Sequence, residues 1–103
     1  MIYDEFKNLC HRPNMYVGTT EIFNIENDFY KVIIFINGIF HGMHTPSHNV
    51  WSNWVRWVKS NNKSTEQQKW EEVLLNKYRS KEMVLQELPK LFQSFCQEQG
   101  IYT

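Results

Sequence analysis

The sequence predicts an all-α fold: a compact bundle of four to five helices that forms a single helical domain over residues 1–103. Two observations lead to this prediction. Apolar side chains recur at intervals of three and four residues along most of the chain, and the polar breaks between these segments are short. With 11 basic and 11 acidic groups, many aromatic residues and few glycines and prolines, the composition is that of a folded chain rather than a disordered one.

The first helix is predicted over residues 2–11, where Ile2, Phe6 and Leu9 recur at helical spacing. Pro13 ends this helix, because the residue before a proline avoids the helical region. An ordered turn is expected to follow over residues 12–18.

Residues 20–43 allow two interpretations. The β-branched and aromatic run 30–36, followed by Asn37-Gly38, is typical of a strand that enters a hairpin. The apolar side chains also fall at steps of three and four, which makes one broad helical face: Phe29, Val32, Ile33, Ile36, Phe40 and Met43. Because the segment is longer than a common strand, we favour a buried central helix, capped by Asn27 or Asp28, over the strand.

A third helix is expected to take the segment Thr45-Pro46-Ser47 as its cap and first turn. Its apolar stripe follows at helical spacing: Trp51, Trp54, Val55 and Val58.

A fourth helix is expected after the polar break at 60–63. Either of two residue pairs fits a capping box at its start: Ser64 with Gln67, or Thr65 with Gln68. The apolar stripe of this helix is formed by Trp70, Val73, Leu74 and Tyr78. Three charged residues are expected to face water: Glu71, Glu72 and Lys77.

The last helix is expected to begin after Ser80 and to end before Gly100, which fits a C-cap glycine. Its apolar face comprises Val84, Leu85, Leu88, Leu91, Phe92 and Phe95. Pro89 lies inside this segment, so a kink or a break into two pieces is predicted there.

The sequence offers weak support for catalysis. His41, His44 and His48 have the spacing of metal ligands, but Pro46 interrupts the segment and no acidic residue or cysteine lies nearby to complete a site. An enzyme based on a metal or a thiol would need these histidines to converge with Cys10. Since no phosphate-binding loop or nucleophile motif is present either, we expect no enzyme activity, no metal site and no cofactor.

The cysteine content and the hydropathy indicate where the protein acts. Cys10 and Cys96 are too few for a disulfide framework and are expected to be reduced, half-buried thiols. The longest apolar run, residues 32–36, is far short of a membrane span, for which about 20 residues are needed. We therefore expect a cytoplasmic protein with no membrane contact.

Basic residues and aromatic rings interleave between residues 56 and 81, which makes a small nucleic-acid-binding regulator an alternative function. The basic groups are Arg56, Lys59, Lys63, Lys69, Lys77, Arg79 and Lys81. Since the tryptophans follow the stripe expected of a core, we interpret these cations as a solvated face and expect no direct contact with nucleic acid.

The rings are too numerous for a core of this size, so some are expected to be partly exposed. The candidates are Tyr3, Tyr16, Trp57, Tyr78 and Tyr102. Large aromatic side chains are enriched in protein–protein contacts, which favours a binding protein.

One motif carries a family resemblance. The segment Arg12-Pro13-Asn14-Met15-Tyr16-Val17-Gly18, placed between a short helix and the apolar segment that ends in residues 35–38, resembles small bacterial immunity proteins of contact-dependent growth inhibition and polymorphic toxin systems. A similar segment occurs in the ATPase domains of type II topoisomerases, but this chain is shorter and lacks their nucleotide-binding glycine motifs. The matching residues are interpreted as structural: Pro13 and Gly18 shape the turn, Met15 and Tyr16 fill the core, and Arg12 bonds helix-end carbonyls.

The resemblance implies an inhibitor that binds the C-terminal domain of a cognate toxin, such as a nuclease that cleaves tRNA, and blocks its active site or its substrate. Because nuclease clefts are basic, acidic side chains are the candidate contacts. One group is Glu21, Glu26 and Asp28, and the other is Glu66, Glu71 and Glu72. Trp57 is a candidate aromatic contact, and a homodimer through a helix face is a further possibility.

Overall fold

The computed structural model describes residues 2–15, 23–65 and 67–101, and these residues form an all-helical bundle, as predicted. The helices are α1 (Ile2–His11), α2 (Ile25–Gly42), α3 (Val50–Ser60), α4 (Trp70–Tyr78) and α5 (Lys81–Gln99), with a 3-10 turn at Pro13–Met15. The described part contains no strand; only an isolated bridge pairs Thr45 with His48. The radius of gyration of 13.4 Å is that of a compact fold of this length.

Helix α2 resolves the ambiguity of the central segment in favour of a helix, but its cap differs from the prediction. The cap is Asn24, whose side-chain oxygen accepts a hydrogen bond from the Glu26 N–H at 3.0 Å. Asp28 lies one turn inside the helix and accepts from the Asn24 N–H at 3.0 Å. Asn27 and Asp28 are therefore not the cap, because a pair of reciprocal bonds starts the helix earlier.

Helix α3 begins later than predicted. Thr45 and His48 exchange two backbone hydrogen bonds of 3.1 Å each, so the segment 45–48 forms a closed turn instead of a helical start. Asn49 caps α3 by accepting from the Ser52 N–H at 3.0 Å.

Helix α4 also begins late. The Gln68 side chain accepts from the Thr65 N–H at 3.1 Å, as a capping box requires, but this contact closes a turn before the helix. Helix α4 begins at Trp70 after Lys69, which is extended and makes no capping bond through its side chain. Neither predicted capping box therefore starts this helix.

Helix α5 has the predicted ends. Ser80 accepts from the Met83 N–H at 3.1 Å, and Gly100 takes the left-handed conformation with φ 68°. The helix runs unbroken through Pro89, so the break does not occur. Pro89 is buried, as are Leu88 and Phe92 on the same helix, and burial of apolar surface offsets the hydrogen bond that a proline cannot donate.

Stacked rings from four helices form the centre of the core. Phe6 of α1 stacks on Phe92 of α5 with centroids 4.2 Å apart, and Phe40 of α2 stacks on Trp54 of α3 at 4.8 Å. Phe40 also lies 5.8 Å from Phe92, which joins the two pairs. The predicted stripes supply most of the buried side chains, and six of their members are only partly buried: Ile2, Met43, Trp51, Val55, Tyr78 and Leu91.

The motif of residues 12–18 is described in part. The Arg12 side chain is exposed and Pro13 is buried. The Met15 side chain, Tyr16 and Gly18 lie outside the described residues, and so does the role predicted for each.

The rings expected at the surface follow the prediction where they are described. Tyr3, Trp57 and Tyr78 are partly buried, and Tyr16 and Tyr102 lie outside the described residues.

Among the helices of the described ranges, none combines the length and apolar character that crossing a bilayer requires.

Candidate protein-binding surface

The outer face of α2 exposes large apolar side chains. Tyr30 is 46% exposed, Ile34 is 69% exposed and Phe35 is 46% exposed. We call these three residues the α2 face. Exposed rings were not predicted here, although the sequence carries a signal for them: the apolar run 32–36 supplies more apolar positions than one buried helix face can use.

A groove adjoins the α2 face. It has a volume of about 630 Å³ and lies between α2, α3 and the start of α4. Its apolar lining comprises Tyr30, Ile33, Ile34, Trp51, Val55 and Trp70. Its polar lining comprises Asn37, Lys59, Gln68, Lys69 and Glu71. A mostly apolar concavity with a few polar groups is the usual form of a binding site.

Asn37 fixes the two tryptophans of this groove. The indole N–H of Trp51 donates to Asn37 Oδ1 at 3.2 Å, and that of Trp70 donates to the same oxygen at 2.9 Å. One side chain of α2 thus positions rings from α3 and α4. Because the oxygen accepts both bonds, the amide NH₂ group of Asn37 is left as a donor.

Glu71 is buried, which contradicts the prediction that it faces water. Its residual exposure is 6%. Burial raises the pKa of the Glu71 carboxyl, and a hydrogen bond from its own backbone, followed by the nearby charge of Lys69, partly offsets this effect. Within the described ranges, the carboxyl forms no ion pair and no hydrogen bond with another side chain.

The first predicted acidic group is already paired within the fold. Glu26 forms an ion pair with Lys81 at 3.1 Å, and Asp28 forms one with Lys31 at 3.1 Å. The hydrogen bond from the Asn24 backbone, followed by the bond from Lys31, lowers the pKa of Asp28. Glu21 lies outside the described residues, so the structure does not place it relative to the other two.

The second predicted acidic group is divided. Glu71 lines the groove, whereas Glu72 is exposed. Glu66 lies outside the described residues.

The candidate aromatic contact Trp57 lies at the junction of α3 and α5. Its indole N–H donates to the Glu98 carboxylate, and its ring packs edge-on against Phe95 with centroids 5.7 Å apart. These contacts give the partly buried ring a role in packing α3 against α5.

The histidines and cysteines do not form a reactive cluster. The His41 ring stacks on Trp51 with centroids 5.3 Å apart, and across the described residues no three His, Cys, Asp or Glu side chains come close enough to hold a metal ion. Burial raises the pKa of the Cys10 thiol, and it raises that of Cys96 to about 11. Both thiols are therefore protonated at neutral pH, which makes them weak nucleophiles.

The basic residues between 56 and 81 are spread over α3, the following loop, α4 and the first residue of α5. Two of them contact neighbouring rings: Lys77 lies 5.3 Å from the Tyr78 centroid, and Lys81 lies 5.5 Å from that of Tyr30. Because Lys81 is also paired with Glu26, it contributes little to a positive surface.

Comparison with known proteins gives no match: no protein-family model, no curated protein and no solved structure is significantly similar to this chain.

Proposed function

We propose that this chain is an immunity protein, a non-catalytic inhibitor that binds the C-terminal domain of a cognate toxin. The toxin domain is a nuclease, such as one that cleaves tRNA, and the inhibitor acts in the cytoplasm, where that substrate lies. Two observations support the proposal: the resemblance of residues 12–18 to immunity proteins, and the exposed α2 face.

The α2 face is the single observation that carries the proposal of protein binding. Its three members are a tyrosine, a phenylalanine and an isoleucine, and large rings of this kind dominate the binding energy of protein interfaces. They project from a helix whose opposite side is in the core, so the backbone that carries them loses little conformational entropy when they bind.

This proposal moves the contact surface away from the acidic residues at the start of α2. Glu26 and Asp28 are paired with lysines of the same chain, so contact with a basic toxin would have to compete with those pairs. Ile34 and Phe35 of the α2 face are exposed and uncharged, so contact through them breaks no ion pair, and Glu72 is an exposed charge.

The test is co-expression with a tagged toxin domain encoded next to the gene of this protein. We expect the wild-type chain to co-purify with that domain and to protect cells that express it. Ile34→Asp and Phe35→Asp place a charge in the contact, so each should weaken binding by at least about 30-fold, the loss that corresponds to a hot-spot residue.

Gln93→Asp is the control, because Gln93 is exposed on α5 and the same charge is added away from the α2 face. Circular dichroism should show that all three variants remain folded. Unchanged toxin binding by both α2 variants would contradict the proposed surface. A salt-dependent affinity for oligonucleotides, without toxin binding, would favour the regulator instead.

A further inference from the structure

We propose that the groove between α2, α3 and α4 binds an arginine side chain of the protein partner, with its guanidinium group paired to Glu71. The inference rests on the proposed function in taking the occupant to belong to a protein. A nuclease supplies such side chains, because its cleft must hold phosphates.

Glu71 is a buried acidic residue that has no ion-pair partner within the described ranges. A carboxylate that is buried without a cation is unfavourable, because desolvation costs more than the remaining contacts return. Glu71 is 6% exposed and unpaired within the described ranges, whereas the next residue, Glu72, is exposed. A cation that enters the groove with a partner provides the missing charge.

The groove combines aromatic and aliphatic side chains. Trp51 and Tyr30 present aromatic surface and Val55 presents aliphatic surface, whereas the lining residues Trp70 and Ile33 are almost fully buried. Arginine suits this combination better than lysine, because its planar group stacks on rings, is more weakly hydrated and bonds a carboxylate through two N–H groups.

Two lysines, Lys59 and Lys69, line the same groove. Lys69 is exposed and lowers the pKa of Glu71 through its charge, but it forms no ion pair with that carboxyl in the part of the chain described. Lys59 is partly buried and has an interaction of its own. Of the three charged residues that line the groove, Glu71 is therefore the one that is buried.

The experiment uses the full chain labelled with ¹⁵N and the probe N-acetyl-arginine-N-methylamide. The indole N–H signals of Trp51 and Trp70 report on the groove, because both groups are bonded to Asn37 within it. We expect saturable shifts of both signals with a Kd on the order of 1 mM, which is reasonable for a single side chain. The uncharged analogue N-acetyl-citrulline-N-methylamide should bind at least about tenfold more weakly.

Three variants sharpen the test. Glu71→Gln should weaken binding of the arginine probe by at least about tenfold, and the matched control Glu72→Gln should leave it unchanged. Lys69→Gln should tighten it, because a competing cation is removed. The inference is overturned if no saturable shift occurs, if citrulline binds as well, if Glu71→Gln binds the arginine probe normally, or if Lys69→Gln weakens binding of that probe.

The inference and the proposed function fail in different ways. Binding of the arginine probe without any affinity for the toxin domain would refute the proposed function and leave the groove assignment standing. Full toxin binding by Glu71→Gln would refute the groove assignment and leave the proposed function standing.

Discussion

At the scale of single residues, Glu71 makes the stability of the protein depend on pH. Burial raises the pKa of this carboxyl above its ordinary value of 4.5, so the folded state binds the proton more tightly than the unfolded state does. The group is therefore most destabilising at pH values above its raised pKa. This penalty decreases as the pH falls from there towards 4.5.

Glu71→Gln should remove this penalty. We expect a higher free energy of unfolding than wild type at pH 7.5 and a smaller difference at pH 5, both measured by urea unfolding. Glu72→Gln is the control and should raise neither value, because that residue is exposed and its charge favours the first turn of α4. Asp28 does not interfere, since its lowered pKa affects stability only as the pH falls below about 3.8. A Glu71→Gln protein less stable than wild type at pH 7.5 would contradict the prediction.

The burial of Glu71 could not be predicted from sequence. It follows Trp70 directly, so helical periodicity places it at the edge of the apolar stripe, where a charged residue usually meets water. What buries it is the packing of the start of α4 against α2 and α3, which no spacing rule reports.

At the scale of the helices, two glycines have opposite roles. Gly38 lies inside α2, and a Cβ atom added there meets nothing within 4 Å. Gly100 follows α5 at φ +68°, where a side chain is strained.

Gly38→Ala should raise the free energy of unfolding by about 0.5–1 kcal/mol, because alanine favours the helix. Gly100→Ala should lower it by about 1–2 kcal/mol, because a left-handed residue other than glycine is costly. Urea unfolding of the two variants and of the wild type measures both changes. The opposite roles of the two glycines would be contradicted if both substitutions raised, or both lowered, the free energy of unfolding.

The helix boundaries show which helix ends a local sequence pattern can predict. The caps at Ser80 and Gly100 were predicted correctly: Ser80 accepts from the Met83 N–H, and Gly100 takes the left-handed conformation. The starts of α3 and α4 were predicted too early, because Thr45, His48, Thr65 and Gln68 use their bonding groups to close turns. A capping signature identifies the bonds that a side chain can make, but not which backbone partner it takes.

At the scale of the whole molecule, the stacked rings at the centre of the core connect α1, α2, α3 and α5. Phe40 contacts Phe6 of α1, Trp54 of α3 and two rings of α5, Phe92 and Phe95. We expect unfolding in a single step, in which circular dichroism at 222 nm and tryptophan fluorescence give the same transition.

Phe40→Ala should lower the free energy of unfolding by about 3–5 kcal/mol, as expected for a fully buried ring. Phe35→Ala makes the same change on the same helix at a ring that is 46% exposed, so it should cost less than about 1 kcal/mol. Similar losses in the two variants, measured by urea unfolding, would contradict the assignment of inner and outer faces of α2.

The exposed side of α2 has a consequence for how such a protein diversifies. Residues such as Ile34 make few contacts within the chain, while Phe40 on the same helix is fully enclosed. Mutations on the outer side can therefore accumulate with little thermodynamic penalty. Related chains could then drift apart in the partners they accept while inheriting one unchanged scaffold.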